Sequence, residues 1–394
     1  MPYGIFRRTA HTACRKSLPT GARESSIASD ESPKWLSPIL TLISVIAALI
    51  FSGILIASVG GDPLYTYSRM WNAAFGSWFA LSDSFTKAIP LILCGTACAL
   101  AFQMKIWNIG AEGQFFLGAF GASLVVLAPI VPEGSPSWVY IPVMMLSGMV
   151  FGALWGVIPG LLKARLNVNE IISTLMLNYI AIAWNNFFLF GMWSDKGFQM
   201  SKKFPKEALL TRLSDIAKTY DIKALRGMTL HLGLFFAIFM AIIIYIMIYK
   251  SKWGYEIKLL GESREVARYA GINISRNIVL IMVVSGAIAG LAGATEISGV
   301  VKRFQGSISD GYGYTGIIIA WLAKLNPLLT IPVSLFFGGL IIAGREIQPS
   351  GIPTMIQGII LVCLIAFDFF LNYRIRITSV SSSQSMIEEQ KETA

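Results

Sequence analysis

Three polar side chains lie close together at the start of an apolar run, in the stretch KIWNIGAEGQFFLGAFGA from 105 to 122. They are Asn108, Glu112 and Gln114, which together offer hydrogen-bond donors and acceptors. A carboxylate in hydrocarbon is costly unless it is hydrated, paired or neutralised. A helix start lowers that cost, because free N–H groups and the positive end of the helix dipole lie there. We therefore expect Asn108 or Gly110 to be the N-cap, with Glu112 in the first or second turn.

Two interpretations of this polar group remain open from the sequence. In the first, Asn108 and Glu112 satisfy the ends of a broken helix inside the protein. In the second, irregular backbone at membrane depth lines a water-filled route, since breaks that face lipid are not tolerated. A polar solute with hydroxyls and ring nitrogens would find partners in Asn108, Glu112 and Gln114 along such a route.

A second polar group lies in the stretch NYIAIAWNN, 178–186. Asn178 and Asn185 are seven residues apart, so a helix places them on one face. Hydrogen bonding between helices explains them structurally. The functional alternative adds them to a solute pathway, where the neighbouring aromatic residues Tyr179 and Trp184 would suit a nucleobase or a sugar ring.

The elements that position these residues belong to a membrane protein. The chain has 394 residues, of which 55% are hydrophobic and 14% charged, and its mean hydropathy is +0.63. Soluble domains carry about 25% charged residues, so this composition excludes an ordinary soluble domain. The net charge of +10 does not indicate nucleic acid, because the basic residues lie mainly between hydrophobic runs and there set membrane topology.

The sequence gives little support for a catalytic site or a metal site. The four cysteines lack CxxC spacing, and the two histidines are far apart in the chain. The apolar runs also lack histidine clusters or paired carboxylates with catalytic spacing, which argues against a membrane-embedded enzyme. Glu170, Glu296 and Asp368 lie at segment ends and are expected at the membrane interface. We therefore predict no catalytic residue, no metal site and no cofactor in this chain.

About ten apolar segments predict an all-α polytopic membrane protein with short or broken helices and both termini cytoplasmic. The predicted segments are Pro38–Gly60, 85–104, 109–130, 138–161, 170–191, 229–249, 276–298, 313–324, 327–343 and 353–371. The segment 313–324 is too short to cross a bilayer alone. Together they form a transmembrane domain over 38–375.

Three regions flank or interrupt this domain. Residues 1–37 form a basic tail that lacks the apolar core of a cleavable signal peptide, and 376–394 form a polar tail; both are expected to be cytoplasmic and disordered. The loop 192–228 is expected outside although it holds eight Lys and Arg, because long loops are translocated with less regard to charge. Within it, the apolar residues between Leu209 and Tyr220 recur at helical spacing, which predicts an amphipathic helix on the outer surface or in a docking surface for a partner.

Small residues are dense in GMVFGALWG, 148–156, and in SGAIAGLAGA, 285–294. Their spacing of four lets helix backbones approach closely, which is the ordinary packing of a helical membrane bundle. This pattern predicts helix contacts and gives no information about a transported solute.

The segment 250–275 is predicted to form a cytoplasmic loop with a short helix from Glu262 to Ala270. An apolar patch on that helix would consist of Val266, Ala267, Tyr269 and Ala270. Gly271 is well placed to end the helix. A solvated loop needs no such patch. A helix of this design could dock in a groove on another protein.

Two motifs of this chain resemble a known family. WNIGAEGQFFLGA and GESREVARYAGIN…VVSGAIAGLAGATE are similar to the permease subunits of ABC importers for ribose, branched-chain amino acids and nucleosides, with the strongest likeness to the nucleoside branch. The likeness covers roughly 85–375. It implies a multi-helix permease of the bacterial cytoplasmic membrane that pairs with a second permease, identical or paralogous, with cytoplasmic ATPase subunits and with an extracytoplasmic substrate-binding protein.

The resemblance also implies roles for particular residues. The helix break from Asn108 to Gln114 would lie beside the translocation path, and the loop 250–275 would hold the coupling helix. The coupling residues would be Glu262, Arg264, Ala267, Arg268, Tyr269 and Gly271. ATP and Mg²⁺ would be used by the partner ATPase, in agreement with the lack of a GxxxxGK[ST] motif in this sequence.

The predicted function is thus alternating-access import of a small polar solute, with a purine nucleoside favoured by resemblance and a simple sugar as the alternative. An ion-coupled secondary transporter, in which Glu112 carries a proton, is the competing class. Transport that needs separate ATPases and transport on an ion gradient are distinguishable by their energetics.

Overall fold

The computed structural model describes residues 36–128, 130–132, 134–345 and 351–372, and within them the side chains of 36–41, 224 and 367–372 are excepted. The described residues form helices and no strand, apart from three isolated β-bridges. The predicted all-α fold is therefore confirmed. The two predicted tails lie outside the described residues, save for the end of the first tail in α1.

Fourteen α-helices are described, and together they take up most of the described chain. In order they are α1 (Leu36–Ser58), α2 (Pro63–Phe75), α3 (Trp78–Gln103), α4 (Ala111–Leu127), α5 (Ser137–Leu166), α6 (Glu170–Phe190), α7 (Leu213–Thr219), α8 (Gly233–Lys250), α9 (Lys252–Glu262), α10 (Arg264–Tyr269), α11 (Ile274–Glu296), α12 (Tyr312–Leu322), α13 (Thr330–Ala343) and α14 (Ile352–Asn372). Contacts divide the chain into two units. In the unit made of 1–40 and 365–394, the described part is the start of α1 and the end of α14; the unit Thr41–Leu364 holds the remaining elements.

Each of the ten predicted apolar segments is a helix, but fewer are long enough to cross a bilayer alone. Five described helices have the required length and composition: α3, α5, α6, α8 and α11 with its extension. Leu42–Ser58 and Pro63–Phe75 make a sixth span if this pair, which is bent by 119°, is counted as one. The shorter apolar helices are α4, α12, α13 and the described part of α14. The predicted number of about ten spans thus includes four segments that are short or broken.

Two helices were not predicted, and both are set by local capping. In α2 the Asp62 carboxylate accepts hydrogen bonds from the backbone N–H groups of Leu64 and Tyr65, and Pro63 occupies the first turn. In α9 the Ser251 hydroxyl accepts from the N–H of Gly254. Both helices are amphipathic rather than apolar throughout, which is why a search for long apolar runs missed them.

The centre of the bundle is α3, whose residues from Ala88 to Ala101 are buried on all faces. It packs against α8, α11, α12 and α13, while α6 and α8 expose much of their apolar surface. A helix that is apolar on every face is stable only in a protein core or in lipid. Both environments apply in this bundle. Helices α3 and α11 lie in the protein core, and the outer helices present apolar side chains on the outer surface, where lipid would contact them.

The two small-residue stretches make the close helix contacts that their spacing predicts, and the structure shows that they make them with each other. A Cβ atom added to Gly290 of α11 would collide with the backbone carbonyl of Gly148 in α5, and one added to Gly152 would collide with that of Gly286. Gly118 of α4 lies against Gly290 on the other side. Three helix backbones therefore approach at Gly290 more closely than any side chain would allow.

The loop 192–232 holds a helix that is shorter than predicted. The predicted helix between Leu209 and Tyr220 is observed only as α7, because the chain before it is extended and bonds elsewhere. The N–H of Leu210 donates to the carbonyl of Ser298 at 3.2 Å, and the Arg212 guanidinium donates to that of Gly299 at 2.6 Å. The loop is thus fastened along the end of α11 rather than merely resting on a surface.

Candidate functional site

The break between α3 and α4 is held by a closed set of hydrogen bonds. The side-chain amides of Asn108 and Gln114 pair reciprocally, at 2.9 Å from Asn108 Nδ2 to Gln114 Oε1 and 3.3 Å for the return bond. Asn108 Nδ2 also donates to the Ser285 hydroxyl at 2.8 Å, and Asn108 Oδ1 accepts from the N–H of Gly110 at 3.1 Å. Since both amides are buried, these bonds replace water and join the break to α11.

Glu112 joins the starts of two helices. Gly110 is the N-cap of α4, and Glu112 lies in its first turn, as predicted. Its Oε2 accepts a hydrogen bond at 2.7 Å from the N–H of Gly313, in the first turn of α12, and the Ser309 hydroxyl also bonds it. A carboxylate is stabilised at helix N-termini by free N–H groups and by the dipole. The charge of Glu112 is therefore shared by the N-termini of α4 and α12.

Asn178 and Asn185 lie on one face of α6, as predicted, and both bond to the backbone of the region around α4. Asn178 Oδ1 accepts from the N–H of Gly113 at 2.8 Å, and its Nδ2 donates to the carbonyl of Ile109 at 3.0 Å. Asn185 Nδ2 donates to the carbonyl of Phe116 at 3.2 Å. These bonds fasten α6 to the broken helix.

The combination of these amides with neighbouring aromatic rings in a solute site stays a prediction. Tyr179 and Trp184 are exposed by 62% and 44%, unlike the buried Asn178 and Asn185, although the Trp184 ring also lies 6.0 Å from that of the buried Phe120 of α4. The helical period explains the difference, since adjacent residues in a helix are about 100° apart around its axis. An aromatic partner for Asn178 comes instead from α12, where its Nδ2 donates to the hydroxyl of Tyr314 at 3.3 Å.

The five predicted pathway residues thus form one buried group, consisting of Asn108, Glu112, Gln114, Asn178 and Asn185. Each has hydrogen-bond partners inside the protein, and none lines the cavity next to α12. What this group does in the present conformation is hold α4, α6, α11 and the start of α12 together. Contact of these residues with a solute stays a prediction.

A charged group that the sequence analysis missed lies beside them. Lys87 Nζ on α3 is 3.3 Å from Glu296 Oε1 and 3.3 Å from Asp310 Oδ2, and it also bonds the hydroxyl of Tyr312. That hydroxyl is 3.2 Å from Glu296 Oε1 and 3.3 Å from Asp310 Oδ2. Lys87 and Glu296 are buried, whereas the side chain of Asp310 is 57% exposed. A lysine within a long apolar run was the available signal, because its charge requires a buried partner.

Glu296, which was expected at the membrane interface, is buried inside the protein, and its depth in the membrane stays a prediction. It is only 1% exposed, and α11 does not end there, because a π-helical turn over Ile297–Val301 continues it. Glu170 is paired with Lys163 at 2.8 Å, and the side chain of Asp368 lies outside those described. The predicted segment 276–298 ends three residues short of the observed helical stretch, which continues to Val301.

The predicted cytoplasmic helix is observed, with one correction. Helix α10 begins after Ser263, whose hydroxyl accepts from the N–H of Val266, so Glu262 belongs to the preceding α9. The helix ends as predicted at Gly271, which has φ +75° and donates its N–H to the carbonyl of Arg268 at 3.0 Å. The predicted apolar patch is divided: Ala267 is fully buried against the protein, while Tyr269 is 94% exposed.

Helix α9 connects α10 with the bundle at two places. A Cβ atom on Gly261 would collide with the carbonyl of Gln103, so α9 lies directly against the end of α3 where the break begins. Asn277 of α11 accepts a hydrogen bond from Trp253 Nε1 at 2.6 Å and donates one to Glu256 Oε2 at 3.0 Å. Helix α9 thus contacts both α3 and α11.

These features define a multi-pass helical membrane protein with an interior of broken and short helices and a small exposed helix on one end. The chain belongs to the family of permease components described as the branched-chain amino acid transport system, which matches residues 80–366. It is accordingly a permease component of an ABC transporter. Among the described residues, no group of three or more His, Cys, Asp and Glu is placed to hold a metal ion.

Three relatives illustrate the range of solutes named for similar proteins. The glucose ABC transporter permease protein TsgB13 of Haloferax volcanii is 32% identical over 88% of this chain and 91% of its own length. The guanosine ABC transporter permease protein NupP of Bacillus subtilis is 32% identical over 85% and 94%. The nucleoside ABC transporter permease protein NupB of Lactococcus lactis subsp. cremoris is 30% identical over 84% and 90%. No solved structure matches the chain.

Proposed function

We propose that this chain is the permease subunit of an importer that moves a purine nucleoside across the bacterial cytoplasmic membrane by alternating access. The solute is supported by the likeness to a guanosine permease and a nucleoside permease, at 32% and 30% identity over most of each chain. The import cycle would use ATP and Mg²⁺ bound by separate ATPase subunits. A second permease, identical or paralogous, and an extracytoplasmic substrate-binding protein would complete the assembly.

The observation that carries the ATP-driven part of this proposal is α10. It is a six-residue helix that exposes 94% of Tyr269 and 52% of Val266 while Ala267 is buried beneath them. A helix this short is not stable by itself, so its packing on the bundle must hold it. An exposed tyrosine on such a helix suits insertion into a groove on a partner. The coupling residues would be Glu262, Arg264, Ala267, Arg268, Tyr269 and Gly271, on or beside α10.

The proposed motion runs from α10 through α9 to α3 and α11. Since Gly261 lies against Gln103 and Asn277 bonds Trp253 and Glu256, closure of the ATPase subunits would shift the cytoplasmic ends of both helices together. The buried amides Asn108, Gln114, Asn178 and Asn185, with Glu112, would then lie beside the path that opens past α4 and α12. A ligand shifts such an equilibrium only through its different affinity for the two states.

Transport energetics test this class of mechanism. The purified permease would be reconstituted into proteoliposomes with its ATPase subunits and its binding protein, and uptake of labelled guanosine would be followed. We expect uptake to need ATP, to stop with vanadate and to be indifferent to a protonophore. If the chain alone concentrated solute on an ion gradient, the protein would instead be a secondary transporter with Glu112 as a candidate proton carrier.

The coupling role of α10 is tested by Tyr269→Asp. A charge placed on the contact would be desolvated on docking, so we expect uptake to fall at least about tenfold while the protein stays folded. The matched control is Tyr220→Asp, since Tyr220 is also an exposed tyrosine, at 73%, but lies in the loop on the opposite end. Unaltered uptake in the Tyr269 variant would remove α10 from the coupling surface.

A simple sugar is the second candidate solute, because the glucose permease of Haloferax volcanii is as similar to this chain as the guanosine permease is. Competition for uptake between the two solutes distinguishes a nucleoside permease from a sugar permease. We expect unlabelled guanosine to suppress uptake of labelled guanosine at concentrations where glucose has no effect. The reverse order of competition would assign the chain to sugar import.

A further inference from the structure

A cavity of about 490 Å³ lies between α12, α13 and the first turns of α14, and none of the buried amides of the pathway group lines it. Cavities that bind small molecules typically measure about 300–1,000 Å³. We propose that this cavity is the site where the permease itself holds its solute, with Asp310 and Gln357 as the recognising groups. This inference rests on the proposed function and deepens it by assigning the residues that contact the nucleoside.

Asp310 offers an acceptor that no described residue uses. Its Oδ2 is held by Lys87 Nζ and by the hydroxyl of Tyr312, each at 3.3 Å, while its Oδ1 has no partner in the described part of the chain. The side chain is 57% exposed and lines the cavity. A carboxylate fixed through one oxygen presents the other in a constant direction, which suits hydrogen bonds from neighbouring ribose hydroxyls.

Gln357 offers the complementary donor. It is only 8% exposed, and its Oε1 accepts from the Thr315 hydroxyl at 3.2 Å. That bond orients the amide, and no described residue accepts a hydrogen bond from its Nε2. The residue lines the cavity, so its Nε2 is free to donate to a ligand or to water there.

The remaining wall suits an uncharged solute with a flat apolar face. Tyr314, Ile318 and Pro353 supply aromatic and aliphatic surface opposite the polar groups. Among the residues that line the cavity, the acidic Asp310 is matched by the basic Arg345. A charged solute would bring an uncompensated charge into a site of low dielectric constant, whereas a nucleoside brings none.

The wall that carries Asp310 and Tyr314 is positioned by the buried polar group. Glu112 holds the N–H of Gly313, Asn178 holds the Tyr314 hydroxyl, and Lys87 holds both Asp310 and Tyr312. Helix α12 therefore links the predicted pathway residues to the cavity. In this arrangement those residues position the cavity wall, and Asp310 and Gln357 contact the solute.

The first test compares guanosine with 2′,3′-dideoxyguanosine in the complete reconstituted transporter. Asp310→Asn weakens acceptance from the ribose hydroxyls, so the ratio of guanosine to dideoxyguanosine uptake should fall about tenfold, as for loss of a charge-assisted hydrogen bond. The same binding protein delivers both solutes, so its own preference cancels when variant and wild-type ratios are compared. Asp221→Asn is the matched control, an exposed carboxylate paired with Arg226 on the loop 192–232.

The second test needs no transport. Thr354 lines the same cavity, and in a background whose native cysteines are replaced, Thr354→Cys would be labelled with a maleimide in the permease–ATPase complex without binding protein. We expect millimolar guanosine to slow labelling, and Gln357→Met to abolish that protection.

The outcomes separate the two proposals. Protection together with the altered uptake ratio supports the cavity as the solute site. An unaltered ratio in Asp310→Asn, or no protection at Thr354→Cys in a wild-type transporter that imports guanosine, overturns it. Failure of the wild-type complex to import any nucleoside contradicts the proposed function instead, and glucose then replaces guanosine in the labelling test.

Discussion

At the scale of single residues, several ionisable side chains lie inside the apolar bundle. Each of them is placed beside a compensating group. Glu112 meets two helix N-termini, and Glu296 meets Lys87 and Tyr312. Glu296 Oε2 has no hydrogen-bond partner among the described residues. Because desolvation makes an unpaired buried charge expensive, each of these groups depends on its partner.

Removal of Lys87 tests that dependence. Lys87→Met keeps most of the side-chain volume but leaves Glu296 buried without a cation, which should lower the free energy of unfolding by about 3–5 kcal/mol. The double variant Lys87→Met/Glu296→Gln removes both charges and should recover much of the loss. The thermal stability of both variants is measured in detergent, by size-exclusion chromatography after heating. Equal losses in the single and double variants would show that the ion pair contributes little.

His231 makes stability depend on acidity. Burial and the nearby Arg212 lower its pKa from 6.5 to about 3, and its Nδ1 accepts from the N–H of Gly233 at 3.1 Å. The folded protein keeps this imidazole neutral, whereas the unfolded chain binds a proton below about pH 6.5. The free energy of unfolding should therefore fall between about pH 6.5 and 3, by up to about 1.4 kcal/mol per pH unit.

A pH series of melting temperatures measures this effect. His231→Asn keeps an acceptor for the Gly233 N–H without a titrating ring, so its melting temperature should decline less on acidification than that of the wild type. Parallel curves for the two proteins would mean that other groups determine the acid sensitivity.

At the scale of elements, the fold depends on helices that approach without side chains between them. The contact of α4, α5 and α11 at Gly118, Gly148 and Gly290 brings backbone against backbone. In lipid, where apolar side chains gain nothing by leaving the solvent, such close packing is a main source of helix association. The break between α3 and α4 is positioned against this contact by Ser285, one turn before Gly290 on α11.

Gly290→Val should separate these helices. Its Cβ would collide with the carbonyl of Gly148, and overpacking of this kind costs about 1–3 kcal/mol or more. We expect a lower melting temperature and less folded protein in the membrane. Gly351→Ala serves as the control, because a Cβ there meets no atom within 4 Å. A melting temperature unaltered by Gly290→Val would contradict the close approach of α5 and α11.

At the scale of the whole molecule, the two ends of the bundle differ in construction. One end carries the loop 192–232, which is bonded along the end of α11 through Leu210 and Arg212. The other end carries α9 and α10, with α9 against the break after α3. The cavity lies beside α12, whereas the exposed α10 lies beside α9.

Labelling of single cysteines tests the predicted orientation. In a background without native cysteines, Thr219→Cys should react with a membrane-impermeant maleimide in intact cells, because α7 is expected outside. Arg268→Cys on α10 should react only after the membrane is permeabilised. Both positions are exposed, so access to reagent and not burial determines the result. The opposite labelling pattern would invert the topology and exclude α10 from contact with a cytoplasmic ATPase.

Much of the molecule follows from local chemistry in the sequence. Apolar runs predicted every long helix, because twenty consecutive apolar residues have no stable place except lipid or core. The glycine spacing predicted close helix contacts at 148–156 and at 285–294, and the N-cap preference placed Glu112 in the first or second turn of a helix. Gly271 predicted the end of α10, since a glycine readily adopts the positive φ required there.

The partners of the polar side chains were decided only by the tertiary structure. Nothing local to Lys87 indicates Glu296 or Asp310, which lie more than 200 residues further along the chain. Likewise, only the meeting of α12 with α4 shows that Glu112 caps a distant helix, and only the packing of α12 with α14 places Gln357 in a cavity beside Asp310. Sequence patterns report the period of a helix and the chemistry of its ends, because both are local. Which buried donor meets which acceptor depends on how the helices cross, and that is a property of the whole packed bundle.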